Sequence, residues 1–124
     1  MPEVRYLKAI NQALYDAMEV DDSVFVIGED VAAAGGPFKA TRGLLERFGP
    51  GRVYDAPIAE AVIAGVAVGA AMTGMRPVAE IMFMDFITLA MDQDWSVGVA
   101  SNFIHLDQRS RYYGLPQGVY HYGR

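Results

Sequence analysis

The segment Tyr54-Asp55-Ala56-Pro57-Ile58-Ala59-Glu60-Ala61 places one carboxylate, Glu60, at the mouth of an apolar, Ala/Gly-rich stretch. A second segment, Arg76-Pro77-Val78-Ala79-Glu80-Ile81-Met82-Phe83-Met84-Asp85-Phe86, ends in aromatic side chains just beyond another apolar run. A buried carboxylate can share a proton with a basic nitrogen, and an aromatic face can pack on a planar ring. Together they suit a flat, basic heterocycle. A further acidic pair, Glu29-Asp30, directly follows the run Val24-Phe25-Val26-Ile27-Gly28. Each of these residues also has an ordinary reading. Acidic residues are common in the first turn of helices, where the dipole favours them by about 0.3–1 kcal/mol. Phe86 reads equally as a core aromatic, and Glu29-Asp30 as a solvated loop. Glu80 lies inside an apolar run, where a charge needs a partner; Arg76 and Arg52 are the candidates.

These residues must be positioned by the elements around them. Val4, Leu7, Ile10, Leu14, Ala17 and Met18 recur at helical spacing and predict a first amphipathic helix, ended by Asp21-Asp22-Ser23. Val24 to Ile27, closed by Gly28, reads as a buried strand of a parallel sheet. It carries Glu29 to the strand's C-terminal end, where open α/β sheets place their ligand sites. A loop over Ala32–Pro37 leads to a helix predicted from Phe38 to Phe48, terminated by Gly49-Pro50-Gly51. Arg52–Asp55 is extended, and a helix follows from Ala59 to Gly74. Its glycines cost roughly 1 kcal/mol each, and its apolar character nearly all round predicts a buried helix. Pro77–Met82 reads as the next strand and Phe86–Gln93 as the start of another helix. The order is that of an α/β domain: a parallel sheet with helices on both faces. Met72, Met75, Met82, Met84 and Met91 read as adaptable core filling.

Composition sets the bounds. The 124 residues suit one domain, 52% are hydrophobic, and the net charge of −5 argues against nucleic acid and against an anionic membrane surface. With no cysteine there is no thiolate chemistry. The apolar run Ala61–Met75 is shorter than the roughly 20 residues of a membrane span, and the N-terminus has no signal-peptide core. A cytoplasmic protein is expected. Both histidines, His105 and His121, lie in the last segment and lack metal-ligand spacing; the acidic excess is confined to residues 1–93.

GEDVA (Gly28–Ala32), TRGLLERFGPGRVYDAPIAEA (Thr41–Ala61), GVAVGAAMTGMRPVAEIMFMDF (Gly65–Phe86) and the following AMDQ form one continuous set. Over residues 3–93 the chain resembles the β subunit of thiamine-diphosphate-dependent 2-oxoacid dehydrogenases, the first components of pyruvate, branched-chain 2-oxoacid and acetoin dehydrogenases. The resemblance implies a transketolase-like pyrimidine-binding domain, incomplete here, that works with a separate α subunit. That subunit would supply most contacts to the diphosphate and its Mg²⁺, so no metal site is expected on this chain. Glu60 matches the glutamate that hydrogen-bonds N1′ of the aminopyrimidine ring, and Phe86 the aromatic that packs on it. Ile58 is expected at the cofactor as well. Glu29 matches a buried acid near the cofactor, thought to serve communication between two active sites. The implied activity is oxidative decarboxylation or cleavage of a 2-oxo substrate with acyl transfer to lipoyl. The implied partners are the α subunit, the lipoyl acyltransferase core and a second β subunit.

Residues 94–124 fall outside the resemblance and are expected to be a tail, produced by truncation or a frameshift near position 94. The domain reading is therefore 1–93 as a partial pyrimidine-binding domain and 94–124 as an unmatched segment. With later strands missing, the sheet is expected to leave an apolar edge exposed and the Gly65–Ala71 helix face uncovered. The alternative functional reading is a non-catalytic remnant that at most binds an α subunit. A third is a transketolase-type enzyme, which would need the pyrimidine and diphosphate domains in one chain.

Overall fold

The computed structural model describes residues 5–96, 103–107 and 119–122. The periodic apolar positions of the first segment form α1 (Tyr6–Val20), which buries Leu14 and Met18. Asp21 ends it: its carboxylate accepts hydrogen bonds from the Ser23 amide and hydroxyl, turning the chain into β1 (Val24–Gly28). All five residues of β1 are buried, as a strand covered on both faces must be. Then come α2 (Leu44–Phe48), β2 (Val53–Asp55), α3 (Glu60–Met72) and β3 (Arg76–Ile81). A 3₁₀ turn (Met84–Phe86) leads into α4 (Ile87–Ser96), followed by β4 (Phe103–Asp107) and β5 (Val119–Tyr122).

The strands form one sheet in the order β2-β1-β3-β4-β5. β1 pairs in parallel with β2 and β3, and β3 with β4. Because successive side chains point to opposite faces, β1 divides its residues between two cores. Val24 and Val26 meet Leu14, Met18, Leu44, Val53 and Val78 under α1 and α2. Phe25 and Ile27 meet Ile63, Ala67 and Ala79 under α3. α4 joins the α3 side through Ala64, Ile81 and Ala90. The expected α/β architecture, with helices on both faces, is the one found. Among the described residues no helix is long and apolar enough to cross a membrane.

Several expectations are corrected. The helix predicted from Phe38 exists only as Leu44–Phe48, because Lys39 (φ 68°) and Gly43 (φ 86°) adopt left-handed backbone that a right-handed helix cannot contain. The edge of β3 is not bare: Val78 to Ile81 pair with Ile104 to Asp107 of β4. The sheet is not wholly parallel, since β5 runs antiparallel to β4, a pairing that requires no crossover helix. α3 is buried along one stripe only. Val62, Val66 and Met72 stay exposed, while Ile63, Ala64, Ala67 and Val68 are packed. Met72 and Met91 are likewise on the surface rather than in the core.

Candidate functional site

Three parallel strands deliver three chain segments to one edge of the sheet. Glu29 follows β1, Ile58 and Glu60 follow β2, and Phe83 and Phe86 follow β3. From β1 the chain moves outward to β2 on the α1/α2 face, then returns past β1 to β3 by way of α3 on the other face. Such a reversal of strand order marks, at the C-terminal ends of the strands, the place where open α/β sheets bind ligands.

Glu60 is the first residue of α3 and only 7% exposed. The helix N-cap is Ala59, with no side-chain cap hydrogen bond, so Glu60 is not spent on capping. Glu29 is equally buried, and its carboxyl is pushed above the usual range by burial first, then by the charges of Glu60 and Asp30. The solvated-loop reading therefore holds for Asp30, which is exposed, and fails for its neighbour.

The loop after Glu29 is stitched down from several directions. Asp30 takes left-handed backbone (φ 54°), and its carbonyl accepts the Gly36 amide at 2.8 Å. The Ala32 amide donates to the Asp55 carboxylate at 2.7 Å, tying the loop to the end of β2. The Thr41 hydroxyl donates to the Val31 carbonyl at 2.6 Å, and the Asn11 amide of α1 donates to the Ala40 carbonyl at 2.7 Å. These bonds fix the backbone on which Glu29 sits.

Glu80 departs most from expectation. It is 1% exposed, and neither expected arginine reaches it. Arg76 sits beside Asp21 at 3.5 Å, while Arg52 pairs with Asp22 and donates to the Asp21 and Val24 carbonyls. Both Glu80 carboxyl oxygens are buried without a hydrogen-bond partner among the described residues. Burial, and secondarily the charge of Glu29, pushes its pKa up to about 7. Its backbone lies hard against Gly28: a Cβ there would stand 2.7 Å from the Glu80 Cβ and 2.8 Å from the Val31 Cγ1. Only glycine allows that approach.

The aromatic side is built from two segments. Phe86, 39% exposed at the end of the 3₁₀ turn, packs edge-on against Phe83 with centroids 5.7 Å apart. Phe83 meets Phe38 of the loop at 6.1 Å, also edge-on. Ile58 projects into solvent, 84% exposed, on the connection between β2 and α3. The edge thus offers a buried, uncapped carboxyl and a half-open aromatic face, which fits a planar ring carrying a protonatable nitrogen. Among the described residues no group of three His, Asp or Glu side chains is arranged to hold a metal ion. Sequence reasoning missed Phe38 and Phe83 as the support behind Phe86, Asp55 as the loop's anchor, and Glu80 as a neighbour of Glu29. For Glu80 the signal was present: an acid inside an apolar strand.

Comparison with known proteins identifies the family of the chain. The family described as transketolase, pyrimidine binding domain, matches residues 2–112. The chain is 57% identical over 93 residues to the 2-oxoisovalerate dehydrogenase subunit beta of Bacillus subtilis, covering 75% of this chain and 28% of that protein. It is 53% identical over 87 residues to the 3-methyl-2-oxobutanoate dehydrogenase subunit beta of Mycobacterium tuberculosis, covering 70% and 25%. With the mitochondrial pyruvate dehydrogenase E1 component subunit beta-1 of Arabidopsis thaliana it shares 42% over 106 residues, covering 86% and 29%. The chain therefore spans less than a third of the length of these relatives. It belongs to the transketolase pyrimidine-binding domain family, in the form carried by the β subunits of 2-oxoacid dehydrogenases.

Proposed function

We propose that this chain forms the pyrimidine-side wall of a thiamine diphosphate site in a 2-oxoacid dehydrogenase β subunit. The observation that carries the reading is Glu60: a buried carboxyl at the C-terminal edge of the sheet, not used as a cap, on the same edge as a half-exposed Phe86. Glu60 shares a proton with N1′ of the aminopyrimidine ring, Phe86 packs on the ring face, and Glu29 adds a second buried carboxyl beside Glu60. Ile58, exposed on the chain alone, packs against the cofactor once the partner subunit closes over it. When bound, the cofactor supplies a nucleophilic carbon for attack on a 2-oxo carbonyl; the chain's own work is to orient the ring and hold the proton at N1′.

The α subunit binds the diphosphate and Mg²⁺. The reaction is oxidative decarboxylation of pyruvate or a branched-chain 2-oxo acid, or cleavage of acetoin, with acyl transfer to the lipoyl group of an acyltransferase core. The compartment is the cytoplasm. The exposed stripe Val62, Val66 and Met72 on α3 is the face that a neighbouring subunit, α or a second β, covers.

Phe86→Ala tests the ring contact. In a mixture of the chain with its α subunit, thiamine diphosphate affinity is expected to weaken by about 2- to 10-fold, the equivalent of one aromatic contact. Unchanged affinity by calorimetry would make Phe86 an ordinary half-buried aromatic.

A further inference from the structure

We propose that Glu80 is the proton-bearing member of a carboxyl pair with Glu29, a positioning residue that stays neutral so that Glu29 can ionise beside Glu60. The sheet sets the two residues on neighbouring strands. β1 and β3 are in parallel register, Ile27 opposite Ala79, so Glu80 runs beside Gly28, and Glu29 is the next residue along the chain. The bare α-carbon of Gly28 lets the Glu80 backbone and Cβ press into β1 at distances no side chain would allow. The Glu80 carboxyl is thereby sealed in, with both oxygens buried and no donor among the described residues.

An ionised carboxylate needs donors or a cation in such a place. Among the described residues, the surrounding elements offer none to it. From the end of β1 comes Glu29, an acid, and from the loop comes Asp30, exposed. The loop's Val31 is apolar, and its Thr41 hydroxyl is already donated to the Val31 carbonyl. Lys39 donates to the Ala34 carbonyl. α1 buries Leu14 and Met18 on this face while its Asp16 and Glu19 are exposed, and β4 sets Leu106 opposite Glu80 in register. From α3 comes Glu60, whose charge acts on Glu29.

The two acids are not equivalent. Glu80 is the more deeply enclosed, 1% exposed with both oxygens sealed, against 7% for Glu29. Burial favours the neutral form, so the proton of the pair rests on Glu80. The pair is defined by the chain's own carboxyls and stands with or without a bound cofactor.

Carboxyl-¹³C NMR of the full chain, glutamate-labelled and titrated from about pH 4 to about pH 9 around the ordinary glutamate range, tests it. Glu80, assigned through its own backbone, is expected to titrate near neutrality. In Glu29→Gln its midpoint should fall toward the ordinary range. In Glu80→Gln, a neutral isostere, the Glu29 midpoint should stay where it is in the wild type. A Glu80 carboxyl that titrates as an ordinary glutamate overturns the proposal, as does a midpoint indifferent to Glu29→Gln. Should Glu80→Gln not fold, the Glu80 titration in the wild type and in Glu29→Gln decides alone.

Discussion

Glu60→Gln, carried in a complete β subunit assembled with its α partner, is expected to lower turnover by about 10²–10⁴-fold, the range of a lost acid–base contribution. The fold should survive. Gln is nearly isosteric, and the N-cap of α3, Ala59, makes no side-chain capping bond that the substitution could disturb. The amide can still hydrogen-bond the ring nitrogen, so binding should suffer far less than turnover. Only the proton is missing. Steady-state kinetics beside a cofactor titration separates the two effects. A variant that keeps near-full turnover with cofactor bound would reduce Glu60 to an acid that merely complements the helix dipole.

The stability of the chain is expected to decline by about 3 kcal/mol between pH 4.5 and pH 7 through Glu80 alone. The sign follows from the two states. Below pH 4.5, the ordinary glutamate value, folded and unfolded chains both hold the proton, and stability is complete. As pH rises, the unfolded chain releases it while the folded chain, with Glu80 near 7, retains it until the upper limit is passed. Above that limit the loss is full and levels off. Glu29, also raised, adds a contribution of the same sign. Denaturant melts across this range should therefore slope downward in the wild type and be much flatter in Glu80→Gln. An equal slope in both would mean that Glu80 ionises as freely folded as unfolded.

Much of the fold was legible because apolar periodicity decides it. The spacing of Leu14 and Met18 and the unbroken run Val24–Gly28 gave helix and buried strand directly. Phe38–Phe48 misled because helical spacing says nothing of backbone sign, and Lys39 in left-handed backbone has no signature in composition. β4 and β5 were faint in sequence because pairing partners, not local pattern, define them. Glu60 and Phe86 were legible as candidates from their places after buried elements, while their roles came from the resemblance. The partner of Glu80 was misjudged for a geometrical reason. Its nearest arginine in sequence, Arg76, lies at the far end of the same strand and turns to Asp21. What sits beside Glu80 is set by the register with β1, which sequence spacing does not reveal.

The central claim, that this chain supplies one wall of a shared cofactor site, is tested most directly by calorimetric titration of thiamine diphosphate with Mg²⁺. The titration is run into the chain alone, into the α subunit alone and into their mixture. Saturable binding by the mixture, abolished or strongly weakened in either component alone, is the expected result. Tight, saturable binding by the isolated chain would contradict a site divided between subunits.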